Sequence, residues 1–389
     1  MLLRLPLLPL PPTLSGDALR YLWDGKVAAA GFNPYVLAPS AKELTLLRDA
    51  TWRRLSHTEV PTVYPPLAVT AFSIASRLPF PLLAWKLMAT AADLLGCSLL
   101  LALARRLGLP EGRSVWYAWN PLVAVEVAGM GHVDVLGVTA VVGVALCLVL
   151  YSRRPGSPAP AAMLAAAGVL AKLVPVAALP MWARQSGRPW RFLGIAAALI
   201  ALAVLPVLAA TRGVPPGLVV YGISWEFNGP FFEPLWRLLD AAGIAPALAR
   251  GLDRLKDWTG VYEAWNPLYP YLYPQLLAKL ALAAAAGAAI LLSLREREPL
   301  AGTGRLFGRL LLLSATVYPW YLLWILPWAA LRRHTAWLAL SGLILLSYIP
   351  QVAGVPLWPW IYLAVWGPFA VLLFAERISG EGSDGETGP

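Results

Sequence analysis

Apolar runs of about twenty residues, set between arginines, constrain this chain more than any other feature. Phe192–Ala210 and Leu276–Leu294 are each long enough to cross a hydrocarbon core. Inside lipid, backbone N–H and C=O groups must pair within their own segment, so such runs fold as helices. Of the 389 residues, 59% are hydrophobic and 13% charged, which excludes an ordinary soluble domain. The expected fold class is all-α, a polytopic transmembrane helical bundle. Net charge is +10. No soluble basic domain interleaves aromatics with cations, so the charge implies no nucleic-acid partner. It reports arginines on cytoplasmic loops.

Those arginines give a topology. The clusters are Arg105–Arg106 with Arg113, Arg153–Arg154, Arg184/Arg188/Arg191, Arg295/Arg297 with Arg305/Arg309, Arg332–Arg333, and Arg377. The positive-inside tendency puts all of them in the cytoplasm, so each interval must leave and return. Between Arg113 and Arg153 the chain turns near Gly129–Asp134. Between Arg154 and Arg184 there is too little chain for two full crossings. Ala161–Trp182 is therefore expected as two short helices broken near Lys172–Pro175. Phe192–Ala210 goes out, Thr211–Tyr271 forms an outer segment, and Gln275–Leu294 returns. A turn follows at Tyr318–Tyr321, and the last pair is Ala336–Pro350 and Trp358–Phe374. Trp85–Leu103 descends, which leaves residues 1–64 as a first outer loop. Pro65–Leu83 reads as an interfacial or re-entrant pair, with a crossing, which would upset the charge rule, as the alternative. The polar tail 378–389 reads as disordered and cytoplasmic. With short broken helices included, about ten membrane helices are expected in one domain over 1–377.

Met1–Leu14 is too short and too rich in proline to span, and it lacks a signal-peptide layout. An outer N-terminus without a preceding helix implies a transmembrane helix upstream of Met1. Eighteen tryptophans favour the interfaces, and 36 prolines imply short or kinked helices. The two cysteines, Cys97 and Cys147, give no disulfide framework, and the three histidines are scattered, so no metal cluster is expected.

Ionisable residues in membrane segments are costly unless paired or hydrated, so each is a functional candidate. Asp17, Arg20, Tyr21 and Asp24 share one face of an N-terminal helix, because residues three and four apart are neighbours. Leu19 and Leu22 fall opposite, as on a helix lying along a bilayer with Ser15 as N-cap. Asn120 and Glu126 lie on the rising segment, with His132 and Asp134 at its turn and Lys172 at the next. Trp320 and Tyr321 mark a third turn. All are expected at the outer face. Each has a structural alternative: Asp134 as an N-cap, Glu126 in an ion pair with an arginine, Lys172 snorkelling, His132 as a hydrogen-bonded buried residue, and Trp320 and Tyr321 as interface anchors. Asp93, deep in Trp85–Leu103, needs a partner such as Arg20 or a tryptophan. Trp225–Gly229 reads as a substrate loop or an exposed turn.

Several motifs together resemble bacterial polyprenol-phosphate mannosyltransferases, integral-membrane glycosyltransferases of the GT-C fold. They are Asp17–Lys26, Gly31–Tyr35 with Asn33 and Tyr35, Val60–Pro66 with Tyr64, Trp119–Leu122 with Glu126, Gly131–Asp134, Lys172–Pro175 and Pro319–Tyr321. The resemblance implies a GT-C bundle in the cell inner membrane with an N-terminal catalytic loop on its outer face. It implies a polyprenyl-phosphate-linked hexose donor, mannose by family, and a glycan or lipid-linked acceptor among membrane lipids. Asp17 matches the acidic base, although Gly16 stands where relatives often carry a second acid. The implied reaction inverts configuration. The donor phosphate falls to Arg20, Lys172 and His132. Sugar or acceptor contacts fall to Asp24, Asn33, Tyr35, Tyr64, Asn120, Glu126, Asp134, Trp320 and Tyr321. Nothing in the spacing demands a cofactor, and a divalent cation near Asp17 and Asp24 is left open. A lipid transporter or flippase is the competing class; a subunit that has lost catalysis is another.

Overall fold

The computed structural model describes residues 2–153 and 156–383, with 151–153 and 379–383 as backbone only. It is an all-α bundle, as expected, with isolated bridges joining Phe227 and Asn228 to Thr316. Five helices are long and apolar enough to cross a membrane: Pro81–Leu107, Pro189–Thr211, Pro274–Ser293, Thr335–Ala353 and Trp360–Ile378. Shorter apolar helices, including Asp134–Leu150 and Ala159–Ala171, pack among them. Proline starts helices here more than it kinks them. Pro66, Pro81, Pro189, Pro274 and Pro299 each stand at the first helical position, where the missing N–H costs nothing.

The expected outward and returning spans match Pro189–Thr211 and Pro274–Ser293 closely. The expected broken pair is present as Ala159–Ala171, a 3-10 turn at Val174–Ala178, and Leu179–Gln185. Three expectations need correction. Pro65–Leu83 is not a helical pair but one helix, α2 (Pro66–Ser76), after which α3 (Pro81–Leu107) starts. At 11 residues α2 reaches only about 16 Å and cannot cross. The tail does not end its order at 377, because the last helix continues to Ser383. Residues 384–389 lie outside the described residues. The N-terminal helix, α1 (Asp17–Ala29), does not rest on lipid by Leu19 and Leu22, since both are buried.

Contacts among the arginine loops gather at one end of the bundle. Arg105 pairs with Glu111, and Arg113 donates to the Leu331 carbonyl. Arg332 faces Glu298, Arg305 pairs with Glu296, and Gln185 donates to the Glu296 backbone. Glu376 accepts from the Ala336 N–H beside His334. The Arg153–Arg154 cluster lies outside the described side chains. At the opposite end α1 packs along α2 and α3. Tyr21 stacks on Phe72 at 4.6 Å and meets Tyr64 and Trp85 edge-on. Gly25 allows the close approach. A methyl there would overlap the Phe72 carbonyl group and lie 2.8 Å from Ser73 N.

The first dozen residues run beside α3 instead of leading away from it. Arg4, 1% exposed, pairs with Asp93, and its Nη1 donates to the Ala118 carbonyl at 2.7 Å. Lys86 donates to the carbonyls of Leu7 and Leu10, each at 2.8 Å. The partners of Asp93 are thus Arg4 and Tyr117, not Arg20 or a tryptophan. Asp93 lies about 18 Å down α3 by helical rise, so Arg4 is held deep in the bundle.

Candidate active site

A cavity of about 720 Å³ opens between α1 and three chain breaks at the end away from the arginine loops. Asp17, Arg20, Tyr64, Asp134, Lys172, Trp320 and Tyr321 all line it. Five stretches distant in sequence supply them, and most place their side chains at an interruption in regular structure.

Asp17 opens α1. Gly16 is the cap residue, and the Ser15 hydroxyl accepts from the Asp17 N–H at 3.2 Å, so Ser15 sits one position earlier than expected. A carboxylate at this position also favours the helix N-terminus. The Asp17 side chain is 35% exposed toward the cavity. Its Oδ2 accepts from Tyr21 Oη at 3.3 Å and lies 3.8 Å from His132 Nδ1.

His132 follows a π-turn, Val125–Gly129, which the sequence did not reveal. Such turns recur at functional sites. Met130 N–H bonds to the Val125 carbonyl and His132 N–H to the Glu126 carbonyl, so residues six apart meet. Gly131 takes φ 77°, and its carbonyl accepts from Trp85 Nε1. His132 is wholly buried and stacks on Trp320 at 3.8 Å. Its Nε2 is 3.2 Å from Glu126 Oε2, and both Glu126 oxygens accept from Tyr348 Oη at 3.0 and 3.1 Å. Glu126 therefore meets a histidine and a tyrosine, not an arginine.

Lys172 sits where the broken pair is extended, φ −155° and ψ 138°. It pairs with Asp134 Oδ2 at 3.2 Å, and the other Asp134 oxygen accepts from Trp324 Nε1 at 2.8 Å. The Tyr64 and Tyr321 rings flank its ammonium at 5.4 and 5.7 Å. Tyr318 stacks on Trp320 at 4.5 Å, and Tyr321 bonds Tyr221 hydroxyl to hydroxyl.

Of the other candidates, Arg20 lines the cavity, while Asp24, Asn33, Tyr35 and Asn120 stand behind its wall. Arg20 turns away from Asp17 to pair with Asp24 at 2.8 Å, and also donates to the carbonyls of His57 and Val60. Burial pushes the Asp24 carboxyl above the usual range, against the pull of Arg20. Asp17 and Asp24 thus have different partners, Tyr21 for one and Arg20 for the other. Asn33 accepts from the Tyr35 N–H, and Tyr35 Oη donates to the Tyr64 carbonyl, so both shape the loop that carries Tyr64. Asn120 caps Pro121–Ala124 and donates to Ser341. Among the described residues no group of three or more His, Cys, Asp or Glu side chains could hold a metal ion.

Further residues complete the walls. Tyr221, which the sequence reading missed, and Trp225, from the string read as a substrate loop or turn, come from residues 211–271, with Trp225 against the His57 ring at 4.7 Å. Their signal was an aromatic spacing of four at a helix end, visible once Pro216–Ser224 is read as a helix. Arg54 and His57 line the mouth.

Residues 1–186 match the MptA_B family, described as alpha-(1->6)-mannopyranosyltransferase, N-terminal domain. The match spans 186 of the 389 residues, a little under half of the chain. The matched part carries Asp17, His132, Asp134 and Lys172, whereas Tyr221 and Trp320–Tyr321 lie beyond it. No curated protein and no solved structure matches the chain.

Proposed function

We propose that this chain transfers mannose from a polyprenyl-phosphate donor to a hydroxyl of a glycan or lipid-linked acceptor, with inversion at the anomeric carbon. Asp17 is the base. The acceptor oxygen bonds to the anomeric carbon as the bond from that carbon to the phosphate oxygen breaks. The hydroxyl proton passes to Asp17, and polyprenyl phosphate leaves with the bonding pair. A carboxylate suits this step because the hydroxyl acidifies as the new bond forms.

One observation carries the reading. Asp17 is part-exposed in a cavity that also holds Lys172, and each has a fixed partner, Tyr21 for one and Asp134 for the other. A base for the acceptor and a cation for the leaving phosphate thus stand preorganised in one space. Arg20 adds positive charge, much of its donor capacity being taken by Asp24, His57 and Val60. Trp320 lies between His132 and Tyr318, and Tyr318 between Trp320 and Phe227, so this stack turns ring edges, not faces, toward the cavity. In this reading the cavity faces the extracytoplasmic side of the inner membrane, opposite the arginine loops, and the prenyl tail lies between helices in lipid.

The test is sugar transfer in membranes from a polyprenyl-phosphate-mannose donor. Asp17→Asn is expected to lower transfer by about 10²- to 10⁴-fold while leaving the protein folded. Retained transfer in that variant refutes Asp17 as base.

A further inference from the structure

Both ring nitrogens of His132 lack a hydrogen-bond partner of proper geometry, although the residue is wholly buried. Buried polar atoms left unpaired are rare and call for an explanation. Here each nitrogen faces a carboxylate: Nδ1 faces Asp17 at 3.8 Å, and Nε2 faces Glu126 at 3.2 Å. Behind Glu126, Tyr348 Oη reaches both carboxylate oxygens. The row Asp17, His132, Glu126, Tyr348 therefore runs from the cavity into the core. Its members come from α1, the π-turn, the segment after it and the 3-10 turn Ile344–Tyr348. The imidazole cannot swing out of line, because Trp320 covers its face with the rings 13° from parallel.

We propose that His132 and Glu126 are positioning residues that aim the Asp17 carboxylate, with Tyr348 anchoring the row. Neither His132 nor Glu126 lines the cavity, so neither reaches a donor phosphate or a sugar hydroxyl. Tyr348 Oη shares its one proton between the two Glu126 oxygens and so fixes the carboxylate, with Oε2 turned to His132 Nε2 at 3.2 Å. With Nε2 so held, Nδ1 points at Asp17 Oδ2, and Tyr21 Oη meets the same oxygen from within α1. The two contacts hold Oδ2, so Oδ1 is the oxygen left to take the acceptor proton. The row is contracted when the acceptor fills the cavity, which brings Nδ1 and Oδ2 from 3.8 Å to hydrogen-bond distance. Orientation of this kind acts on the chemical step and not on substrate affinity.

The proposal rests on Asp17 as base, and the experiment separates the two. Transfer kinetics are measured with the full chain for His132→Gln, Glu126→Gln, Tyr348→Phe, Asp17→Asn and the double variant Asp17→Asn/His132→Gln. His132→Gln and Glu126→Gln are expected to lower kcat by about 10- to 100-fold, with the KM values for donor and acceptor changed less than about twofold. Tyr348→Phe removes one hydroxyl, keeps the fold, and is expected to lower kcat about threefold to tenfold. In the Asp17→Asn background, His132→Gln is expected to change residual transfer by less than about twofold, because its effect runs through Asp17. A purely structural histidine would add its full loss there. If Asp17→Asn is inactive while all three other single variants keep kcat within about twofold, the positioning role is overturned and the base stands. Losses carried in KM overturn it as well. Transfer retained by Asp17→Asn overturns the base itself. If His132→Gln and Glu126→Gln do not fold, Tyr348→Phe decides: unchanged kcat overturns the row.

Discussion

Gly25→Ala tests whether the placement of α1 governs the site. Gly25 lies eight residues after Asp17 on the face that meets α2. A methyl group there would overlap the Phe72 carbonyl and lie 2.8 Å from Ser73 N, where ordinary contact is 3.4–4 Å. The obstacle is helix backbone, so no side chain can rotate away. The two helices must part by roughly 1 Å. Overpacking of this kind costs about 1–3 kcal/mol. Alanine in place of glycine within a helix returns about 0.8–1 kcal/mol. The net loss of stability is then about 0–2 kcal/mol. The effect on transfer should be larger, because a misplacement of about 1 Å can cost about 100-fold in rate. The expected result is a thermal midpoint in detergent lowered by a few degrees at most, with kcat reduced about 10- to 100-fold. Gly194→Ala is the control, since nothing lies within 4 Å of a methyl there and the residue is outside the cavity lining, so it should leave kcat unchanged and the midpoint no lower. Wild-type kcat in Gly25→Ala, or a loss of rate no greater than its loss of folded protein, would refute the reasoning.

Two further perturbations probe the charges. Lys172→Met removes the cation from the cavity and leaves Asp134 with Trp324 alone; kcat should fall at least about tenfold and the donor KM should rise, measured over a donor titration. Lys172→Arg, which keeps the charge, should recover part of the rate. Arg4→Met leaves the buried Asp93 without its cation and with Tyr117 alone, the side-chain exposures of the parent pair being 2% and 0%, and should cost about 3–5 kcal/mol by thermal inactivation. Arg4→Met/Asp93→Leu should recover most of that, and a double variant no more stable than the single one would contradict the pairing.

Much of the architecture was legible because lipid imposes a simple grammar. Phe192–Ala210 was readable within a few residues as Pro189–Thr211, since apolarity alone decides what spans. The break at Lys172 followed from arithmetic on the arginines. Other parts depend on contacts that no local pattern encodes. Arg4 finds Asp93 across 89 residues, and its own neighbourhood of leucines and prolines has no period to read. The π-turn joins Glu126 to His132 at a spacing of six, which is neither a helical nor a strand repeat. Arg20 and Asp24 were visible as a charged face, but that they would pair with each other, leaving Arg20 only partly free for the cavity, depended on how far α1 sinks between α2 and the loop at His57–Val60.

The anchoring of the N-terminal segment has a consequence for how the site is levelled. Asp17 stands thirteen residues after Arg4, and the intervening chain is pinned twice more by Lys86. Its height is thus gauged from the protein interior and not from the lipid headgroups. When a bilayer thins or thickens, helices such as Pro189–Thr211 tilt to accommodate it. The carboxylate keeps its elevation against α3 throughout, so the gap it must close to a bound sugar stays the same in membranes of different thickness.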